Sequence, residues 1–267
     1  MSQTPRWSTR ISHRWPGHCI IRGYSHADII ERLTYAEAVY LTLKGKLPTA
    51  PEARMLDALL NALTDHEFEA VTVTAGRHVV SGNPQLVPGV AAAILAVGSR
   101  TTSPADAAEL INDSYARMAR EGWSLAETAA RVVDEFVSQR RRIPGFGHPT
   151  HKKGDYRAES LKRVAEECGF LGERTRLYLA IHQEFVRKTG KDNIPINVDG
   201  MMAAIMNEMD LPPIAMTGIA ILSVLPGVMA HCIEEIENWK GLRFVPDEDA
   251  EYVGEPERPL PPRGPRA

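Results

Sequence analysis

The segment Leu211-Pro-Pro-Ile-Ala-Met-Thr-Gly-Ile-Ala-Ile-Leu-Ser-Val-Leu-Pro-Gly-Val-Met-Ala230 decides between a membrane span and a helical core, because it carries no charged side chain over 20 residues. A segment of that length is long enough in principle to cross a bilayer. Prolines and glycines divide it into pieces that are too short to cross; they are Pro212, Pro213, Gly218, Pro226 and Gly227. We therefore predict a core helix over 214–224, a second helix over 227–239 and no membrane partner.

Helical spacing of apolar residues, with explicit start signals, extends outward from this segment over most of the chain. The start signals are Thr34 with Glu37 inside the pattern of residues 27–43, Thr49 with Glu52, Ser103 as an N-cap before Pro104, and Ser124 with Glu127. Further helices are predicted over 157–167, 173–188 and 198–209. Only residues 19–21 and 71–74 indicate strands, so the predicted class is all-α.

Composition narrows the functional classes. The 267 residues fit one domain or two small ones, and the net charge of -3 gives no general field for nucleic acid or an anionic membrane. Cys19, Cys168 and Cys232 are too few and too widely spaced for a disulfide framework or a four-ligand zinc site. We expect a reducing, cytoplasmic setting. The proline-rich, acidic residues after Gly241 are either disordered or an arm on a neighbouring subunit, and composition alone favours disorder.

The first chemical motif is Ile143-Pro-Gly-Phe-Gly-His148, followed by Lys152, Lys153 and Arg157. A histidine on a loop stiffened by proline and glycine can approach a ligand closely and exchange protons near neutrality. The guanidinium of Arg157 offers a planar fork for a carboxylate, and the two lysines offer charge for phosphate. Taken alone, an ordinary surface loop explains the motif equally well.

A second motif, Asn197-Val-Asp199-Gly200, lies directly before a run of apolar residues. Asp199 is either a helix N-cap or a carboxylate whose pKa is raised by its surroundings, as a proton-shuttling acid requires. Asp65-His66-Glu67 is a third polar group, which read alone is more often surface than site.

In combination and in this order, the motifs resemble the citrate synthase superfamily, over about residues 7 to 260. Matching segments are Gly145-Phe-Gly-His148, Asp155-Tyr-Arg157, Asn197-Val-Asp199, Asp65-His66-Glu67, Arg22-Gly-Tyr24, Leu43-Lys-Gly-Lys-Leu-Pro48, and Tyr252-Val-Gly254 with Arg258. Asn-Val-Asp-Gly and Gly98-Ser-Arg100-Thr101 look closer to citryl-CoA lyases and to the citryl-CoA lyase module of ATP-citrate lyase. The resemblance implies a two-domain helical fold: a large domain of residues 1–102 and 196–267 with a C-terminal arm, a small domain of residues 103–195, and a cleft between them.

Two positions depart from the family pattern. Thr101 stands where synthases carry a histidine that stabilises the thioester enolate, and Val224 stands where the family usually supplies a carboxylate-binding arginine. Valine cannot pair with a carboxylate, and burying an unpaired carboxylate costs several kcal/mol. Either another basic group substitutes at Val224, or the substrate has one carboxylate fewer.

The resemblance implies reversible Claisen cleavage of a 3-hydroxy-3-carboxyacyl-CoA, for example citryl-CoA to oxaloacetate and acetyl-CoA. His148 would accept the hydroxyl proton and Asp199 would protonate the enolate carbon. His66, Arg157 and the less regularly spaced Arg243 would bind substrate carboxylates. The Arg100 guanidinium, or the backbone N–H groups of Thr102, Ser103 and their neighbours at a helix start, would stabilise the enolate. Coenzyme A enters as part of the thioester, against Gly145, Phe146, Gly147, Lys152 and Lys153; no tightly bound cofactor and no metal are expected. The arm implies a homodimer.

Three alternatives stay open. The same fold acts on a related thioester such as citramalyl-CoA, or it catalyses net condensation as a synthase does, or it is a CoA-binding homologue without catalytic activity. Loss of an enolate-stabilising histidine counts against the synthase. Substitution at two family positions motivates the inactive homologue.

Overall fold

A computed structural model describes residues 7–98, 100–238 and 240–260 of the chain. These residues form eleven α-helices, three short strands and a 3₁₀ turn at Asp247–Asp249. The helices are α1 (His26–Arg32), α2 (Tyr35–Lys44), α3 (Ala50–Asn61), α4 (Val71–Gly82), α5 (Leu86–Leu95), α6 (Ala105–Glu121), α7 (Leu125–Ser138), α8 (Tyr156–Cys168), α9 (Glu173–Thr189), α10 (Val198–Glu208) and α11 (Pro213–Glu237). The predicted all-α class is confirmed. Ser99, the predicted helix end at Trp239, and Pro261, Pro262 and Pro265 of the tail lie outside the described residues.

An antiparallel sheet precedes the helices. Its strands β1 (Ser12–Trp15), β2 (His18–Ile21) and β3 (Tyr24–Ser25) lie in sequence order, with Ser12 opposite Ile21. The predicted strand at 19–21 is therefore confirmed. Arg22 and Gly23 both have positive φ and turn the chain from β2 into β3.

Most predicted helix starts are confirmed by side-chain caps. Thr34 and Thr49 each form a complete capping box with the glutamate three residues later, and Ser124 accepts a hydrogen bond from the backbone of Glu127. The start at Ser103 is wrong by one residue. Helix α6 begins at Ala105 with Pro104 as its N-cap, and no side chain caps it.

The strand predicted at 71–74 is wrong, because those residues form the first turn of α4. Helix α5 was also missed. The two helices pack on each other and on α11, and small residues make the approach possible: a Cβ on Gly76 would lie 2.9 Å from Cys232 Sγ and 3.1 Å from the carbonyl of Gly89. Tertiary packing thus overrides the strand preference of a Val- and Thr-rich segment.

The separate helices predicted on either side of Pro226 are one continuous helix, α11, with that proline inside it. A proline in a helix removes one hydrogen bond and costs about 3 kcal/mol. Helix α11 stays continuous because it packs against α3, α4, α5, α6 and α10. By length and composition alone it is the one described helix that could also cross a membrane.

Helix α10 lies at the centre of the main hydrophobic core. Residues 200–207 are all buried, which is the pattern of a helix surrounded by protein. Helices α6, α8, α9 and α11 pack around it. Its N-terminus carries the Asn197-Val-Asp199 motif, so a rigid element fixes Asp199.

Candidate active site

The two glycine-rich motifs lie side by side, because their backbones pair as a short antiparallel bridge. Gly147 N donates to the carbonyl of Pro195 at 2.7 Å, and Asn197 N donates to that of Gly145 at 2.9 Å. The side-chain amide of Asn197 also donates to the carbonyl of Gly147 at 2.9 Å. The loop before His148 is therefore anchored to the start of α10.

Glycine is required at this junction for two reasons. Gly145 has a φ of +79°, and a Cβ there would collide with the hydroxyl of Tyr178 and with the backbone of Gly200. The same hydroxyl donates to the carbonyl of Pro144 at 2.8 Å. The close approach lets the loop lie directly on α10.

Asp155 ties a third segment to the junction. Its carboxylate accepts hydrogen bonds from Arg157 Nε and Nη2, each at 2.9 Å, and from the backbone N–H of Val198 at 2.9 Å. Both side chains of the ion pair are buried. Burial alone would raise the pKa of Asp155, but the hydrogen bonds and charge of Arg157 outweigh it and hold that pKa below its usual value.

His148 is surrounded by hydrogen-bond donors. Its Nδ1 accepts from the backbone N–H groups of Thr150 and His151 at 3.1 and 3.0 Å, and Arg157 Nη2 lies 3.0 Å from its Nε2. Burial and the charge of Arg157 lower the pKa of His148, so the ring is neutral near pH 7. Donors thus face both ring nitrogens: the backbone holds Nδ1, and Arg157 lies against Nε2.

Asp199 is not a helix cap, because the side chain of Asn197 fills that role by accepting from the backbone of Gly200 at 3.0 Å. The Oδ1 atom of Asp199 is buried without a hydrogen-bond partner. Burial raises the pKa of this carboxyl to about 6, although Arg157 and the backbone N–H groups of Ser103 and Thr102 act in the opposite direction. A carboxyl with such a pKa can carry a proton near neutral pH.

His66, on the loop between α3 and α4, lies in the same site as His148 and Asp199. That loop is braced by α11: Leu63 N donates to Ser223 Oγ at 2.9 Å, and His231 Nε2 lies 3.1 Å from Asp65 Oδ1. His66 Nδ1 lies 3.3 Å from Thr102 Oγ1. Burial, followed by the charge of Arg157, lowers the pKa of His66.

These groups surround one cleft of about 310 Å³, within the size range of small-molecule sites. The predicted residues that line it are His66, Arg100, Gly147, His148 and Asp199. Thr102, whose backbone N–H is a predicted donor to the enolate, also lines it, and its φ of +55° arises only in the fold. Glu67 and Glu69 line it as well and have no role predicted from the sequence, although Glu67 belongs to the Asp65-His66-Glu67 motif.

The other predicted residues lie around the cleft. Arg157 contacts His148 and forms its ion pair with Asp155. Phe146 packs against Tyr178, His182 and Phe185. Lys152 and Lys153 are exposed and follow His148 by four and five residues.

Two positions lie away from the cleft lining. Arg243 donates to Glu235 of its own chain at 2.8 and 2.6 Å, a carboxylate that Arg77 also contacts. Val224 is 2% exposed and belongs to the main core. Within the described ranges no group of three or more His, Cys, Asp or Glu side chains is arranged to hold a metal, and the sequence-based expectation about metal stays a prediction.

Comparison with known proteins relates this chain to a family. Residues 48–245 match the family model described as citrate synthase, C-terminal domain. The chain is 28% identical over 236 residues to citrate synthase 2 of Bacillus subtilis, covering 88% of this chain and 60% of that protein. The chain thus spans about three fifths of the length of the curated relatives it matches.

Solved structures give the same result. A citryl-CoA lyase from Hydrogenobacter thermophilus superposes with a TM-score of 0.85 at 34% identity, covering 96% of this chain and 98% of that one. An ATP citrate lyase from Methanosaeta concilii, in complex with (3S)-citryl-CoA, shares the fold with a TM-score of 0.82 at 19% identity, over 96% of this chain and 43% of that one. With a family model matching most of its length, the chain belongs to the citrate synthase family.

Proposed function

We propose that the protein is a carbon–carbon lyase that cleaves citryl-CoA, or a related 3-hydroxy-3-carboxyacyl-CoA, to acetyl-CoA and a 2-oxo acid. One observation carries the proposal: His148 and a largely buried Asp199 with a pKa of about 6 line the same cleft. Together they provide the base and the acid that a retro-Claisen reaction needs. The full-length likeness to a citryl-CoA lyase at 34% identity supports it.

In the proposed reaction the imidazole of His148 takes the proton of the substrate's tertiary hydroxyl and becomes imidazolium. The bond between that carbon and the methylene beside the thioester breaks, and its electron pair forms the thioester enolate. Protonated Asp199 then gives its proton to the enolate carbon, releasing acetyl-CoA and the 2-oxo acid. Arg157, paired with Asp155 and 3.0 Å from His148 Nε2, holds the imidazole in place.

Stabilising the enolate needs another donor, because Thr101 replaces the histidine expected from the family. The start of α6 offers one. Thr102 and Ser103 direct backbone N–H groups toward Asp199, and α6 has no side-chain cap to occupy its first donors. Arg100, exposed at the cleft, is the alternative donor.

A second candidate substrate carries one carboxylate fewer, as citramalyl-CoA does. Val224 lies in the core, and the described lining of the cleft holds Glu67, Glu69 and Asp199 against a single arginine, Arg100. Arg157 is neutralised by Asp155. This charge balance favours a monocarboxylate acyl group over a dicarboxylate one.

The deciding experiment incubates the purified protein with citryl-CoA and, separately, with citramalyl-CoA. Release of acetyl-CoA with oxaloacetate supports the first substrate, and release with pyruvate supports the second. Free CoA produced from oxaloacetate and acetyl-CoA would instead indicate a synthase. If His148→Ala and Asp199→Asn change no detectable activity on any thioester, the enzymatic proposal fails and a CoA-binding homologue takes its place.

We also propose that residues 1–102 with 196–267 and residues 103–195 act as two lobes of a cleft, and that the protein is a cytoplasmic homodimer. Residues of both ranges line the cleft, although the main core also includes Ala107, Ala108 and Tyr178. Large apolar side chains at Ile30, Leu95 and Ile214 are at least 70% exposed, which favours a partner surface. Sedimentation equilibrium at micromolar concentration tests the dimer.

A further inference from the structure

A second histidine, His151, lies against His148. Its ring stacks on that of His148 with the centroids 4.4 Å apart and the planes inclined by 27°. The edge of Tyr156 contacts its other side at 5.5 Å between centroids. Its backbone N–H is one of the two donors to His148 Nδ1. One residue therefore fixes the ring of His148 both by stacking and by a hydrogen bond.

The ring of His151 is itself held from the opposite side of the cleft. Its Nε2 lies 3.3 Å from Glu67 Oε1, a carboxylate on the loop between α3 and α4. Glu67 has a φ of +69°, a left-handed conformation that a non-glycine residue adopts only where its surroundings hold it. It directly follows His66, so the same short loop supplies one residue lining the cleft and the contact to His151.

We propose that Glu67 and His151 are positioning residues: their contact joins the loop after α3 to the loop before α8 and holds the imidazole of His148 in its reactive orientation. The proposal rests on the proposed reaction at His148. It accounts for a partly buried contact that the proton transfers themselves do not use. It also explains the left-handed backbone of Glu67, which directs its carboxylate across the cleft.

Four charged or titratable groups act on His148 in this arrangement. Arg157 and His151 lower its pKa, whereas Asp155 and Glu67 raise it. Removing the Glu67 charge and removing the His151 ring are therefore expected to move the pKa of His148 in opposite directions.

The test uses graded variants of the full-length protein. His151→Phe keeps a stacked ring but loses the contact with Glu67, and His151→Ala loses both. Glu67→Ala removes the carboxylate, while Glu67→Gln keeps an acceptor of the same shape. Glu127→Gln is the matched control, since that carboxylate pairs with the exposed Arg131 on α7 at 2.8 Å.

On the thioester that wild type cleaves, we expect His151→Ala to lower kcat about 10- to 100-fold, with KM within about twofold, because misplacement of a reacting group by about 1 Å has effects of this size. The kcat values of His151→Phe and Glu67→Ala should lie between those of His151→Ala and wild type. Glu67→Gln should keep most of the wild-type kcat. A double variant, Glu67→Ala with His151→Phe, should be no slower than the worse single variant. An additive double variant, or full activity in His151→Ala, overturns the proposal.

A second measurement needs no turnover. Ring signals of His148, assigned by their loss in His148→Ala, are followed by NMR against pH. The pH midpoint of the His148 titration should fall in Glu67→Gln and rise in His151→Ala. If kcat drops in His151→Ala while the His148 signal and midpoint stay unchanged, His151 acts on the substrate and not through His148, and the proposal fails. If wild type cleaves no thioester, the titration still tests the positioning independently of the proposed function.

Discussion

Asp155 accepts a hydrogen bond from the backbone N–H of Val198, a residue 43 positions further along the chain, at 2.9 Å. The same carboxylate holds Arg157 through two atoms, and Arg157 in turn lies against His148. One buried carboxylate thus fixes the distance between the proposed base and the helix that carries the proposed acid. The resemblance pointed to Arg157; the partner that orients it becomes evident only in the fold.

Replacing Asp155 with asparagine is expected to lower both stability and activity. The change leaves the Arg157 charge buried without its partner, and breaking a buried pair from one side costs about 3–5 kcal/mol. Urea unfolding measures the loss of stability, and thioester cleavage measures the loss of rate.

The control for Asp155 is the double variant Asp155→Leu with Arg157→Met. Replacing both members of a buried pair with apolar side chains is often nearly neutral for stability. We therefore expect most of the unfolding free energy to return while the activity stays lost. A double variant as unstable as Asp155→Asn would contradict the assignment of that cost to the unpaired charge.

Gly145→Ala tests the close approach of the His148 loop to α10. Alanine there meets a left-handed backbone and collides with the hydroxyl of Tyr178. Gly122→Ala is the matched control, because its φ is +67° but nothing lies within 4 Å of the added Cβ. Both variants should lose about 1–2 kcal/mol from backbone strain, and Gly145→Ala should lose more. Equal melting temperatures for the two variants would show that the collision is relieved without cost.

Local chemistry predicted much of the helical fold, and tertiary packing decided the rest. The Thr34, Thr49 and Ser124 caps are satisfied within three residues of chain, so the sequence alone located those helix starts. Helix α4 was missed because its Val- and Thr-rich start favours a strand, and only packing on α5 and α11 makes it helical. Pro226 indicates a helix end in the sequence, because nothing local to it shows that neighbouring helices hold α11 together.

The candidate site divides in the same way. His66, His148 and Asp199 carry chemistry that their motifs reveal, and the structure places all of them in one cleft. Two contacts, of Thr102 with His66 and of Glu67 with His151, form between chain segments that meet only after folding. The spacing of these residues along the sequence does not indicate either contact.

Arg100→Ala and Thr101→Ala together identify the donor to the enolate. Arg100 is exposed at the cleft, and the loss of a charged hydrogen bond to substrate or enolate should reduce kcat/KM about tenfold. Thr101→Ala should keep nearly full activity, because its hydroxyl makes only a long contact, 3.5 Å, with that of Thr102. Steady-state kinetics at saturating and limiting thioester separates kcat from KM. Full turnover by both variants would exclude both side chains and leave the backbone N–H groups at the start of α6.

The pH dependence of cleavage follows from the two protonation states that the reaction needs. Cleavage requires neutral His148 and protonated Asp199, so kcat/KM should fall as pH rises above the Asp199 pKa of about 6. On the acid side it should fall as His148 gains a proton, at a pH below the usual histidine value. Cleavage releases and consumes no proton overall, so its equilibrium constant does not depend on pH and the condensation direction should show the same two limbs. The residual activity of Asp199→Asn should lack the alkaline limb at about pH 6. A variant that keeps this limb would exclude Asp199 as the proton donor.

Asp199 should also make folding stability depend on pH, with a sign opposite to that of an ordinary paired carboxylate. Its pKa is about 6 in the folded protein and about 3.9 in unfolded chains, so the folded state binds the proton more tightly. Its contribution is fully present below pH 4 and is lost as pH rises to about 6, a change of about 3 kcal/mol. Asp199→Asn removes this titration. Urea unfolding of wild type and variant is measured at a series of pH values. The free energy of unfolding of the variant, relative to that of wild type, should rise between pH 4 and 6.5 and stay constant above pH 6.5. Parallel stability curves across that interval would mean that Asp199 is ionised in the fold at neutral pH with an ordinary pKa, and so unable to supply the proton that cleavage requires.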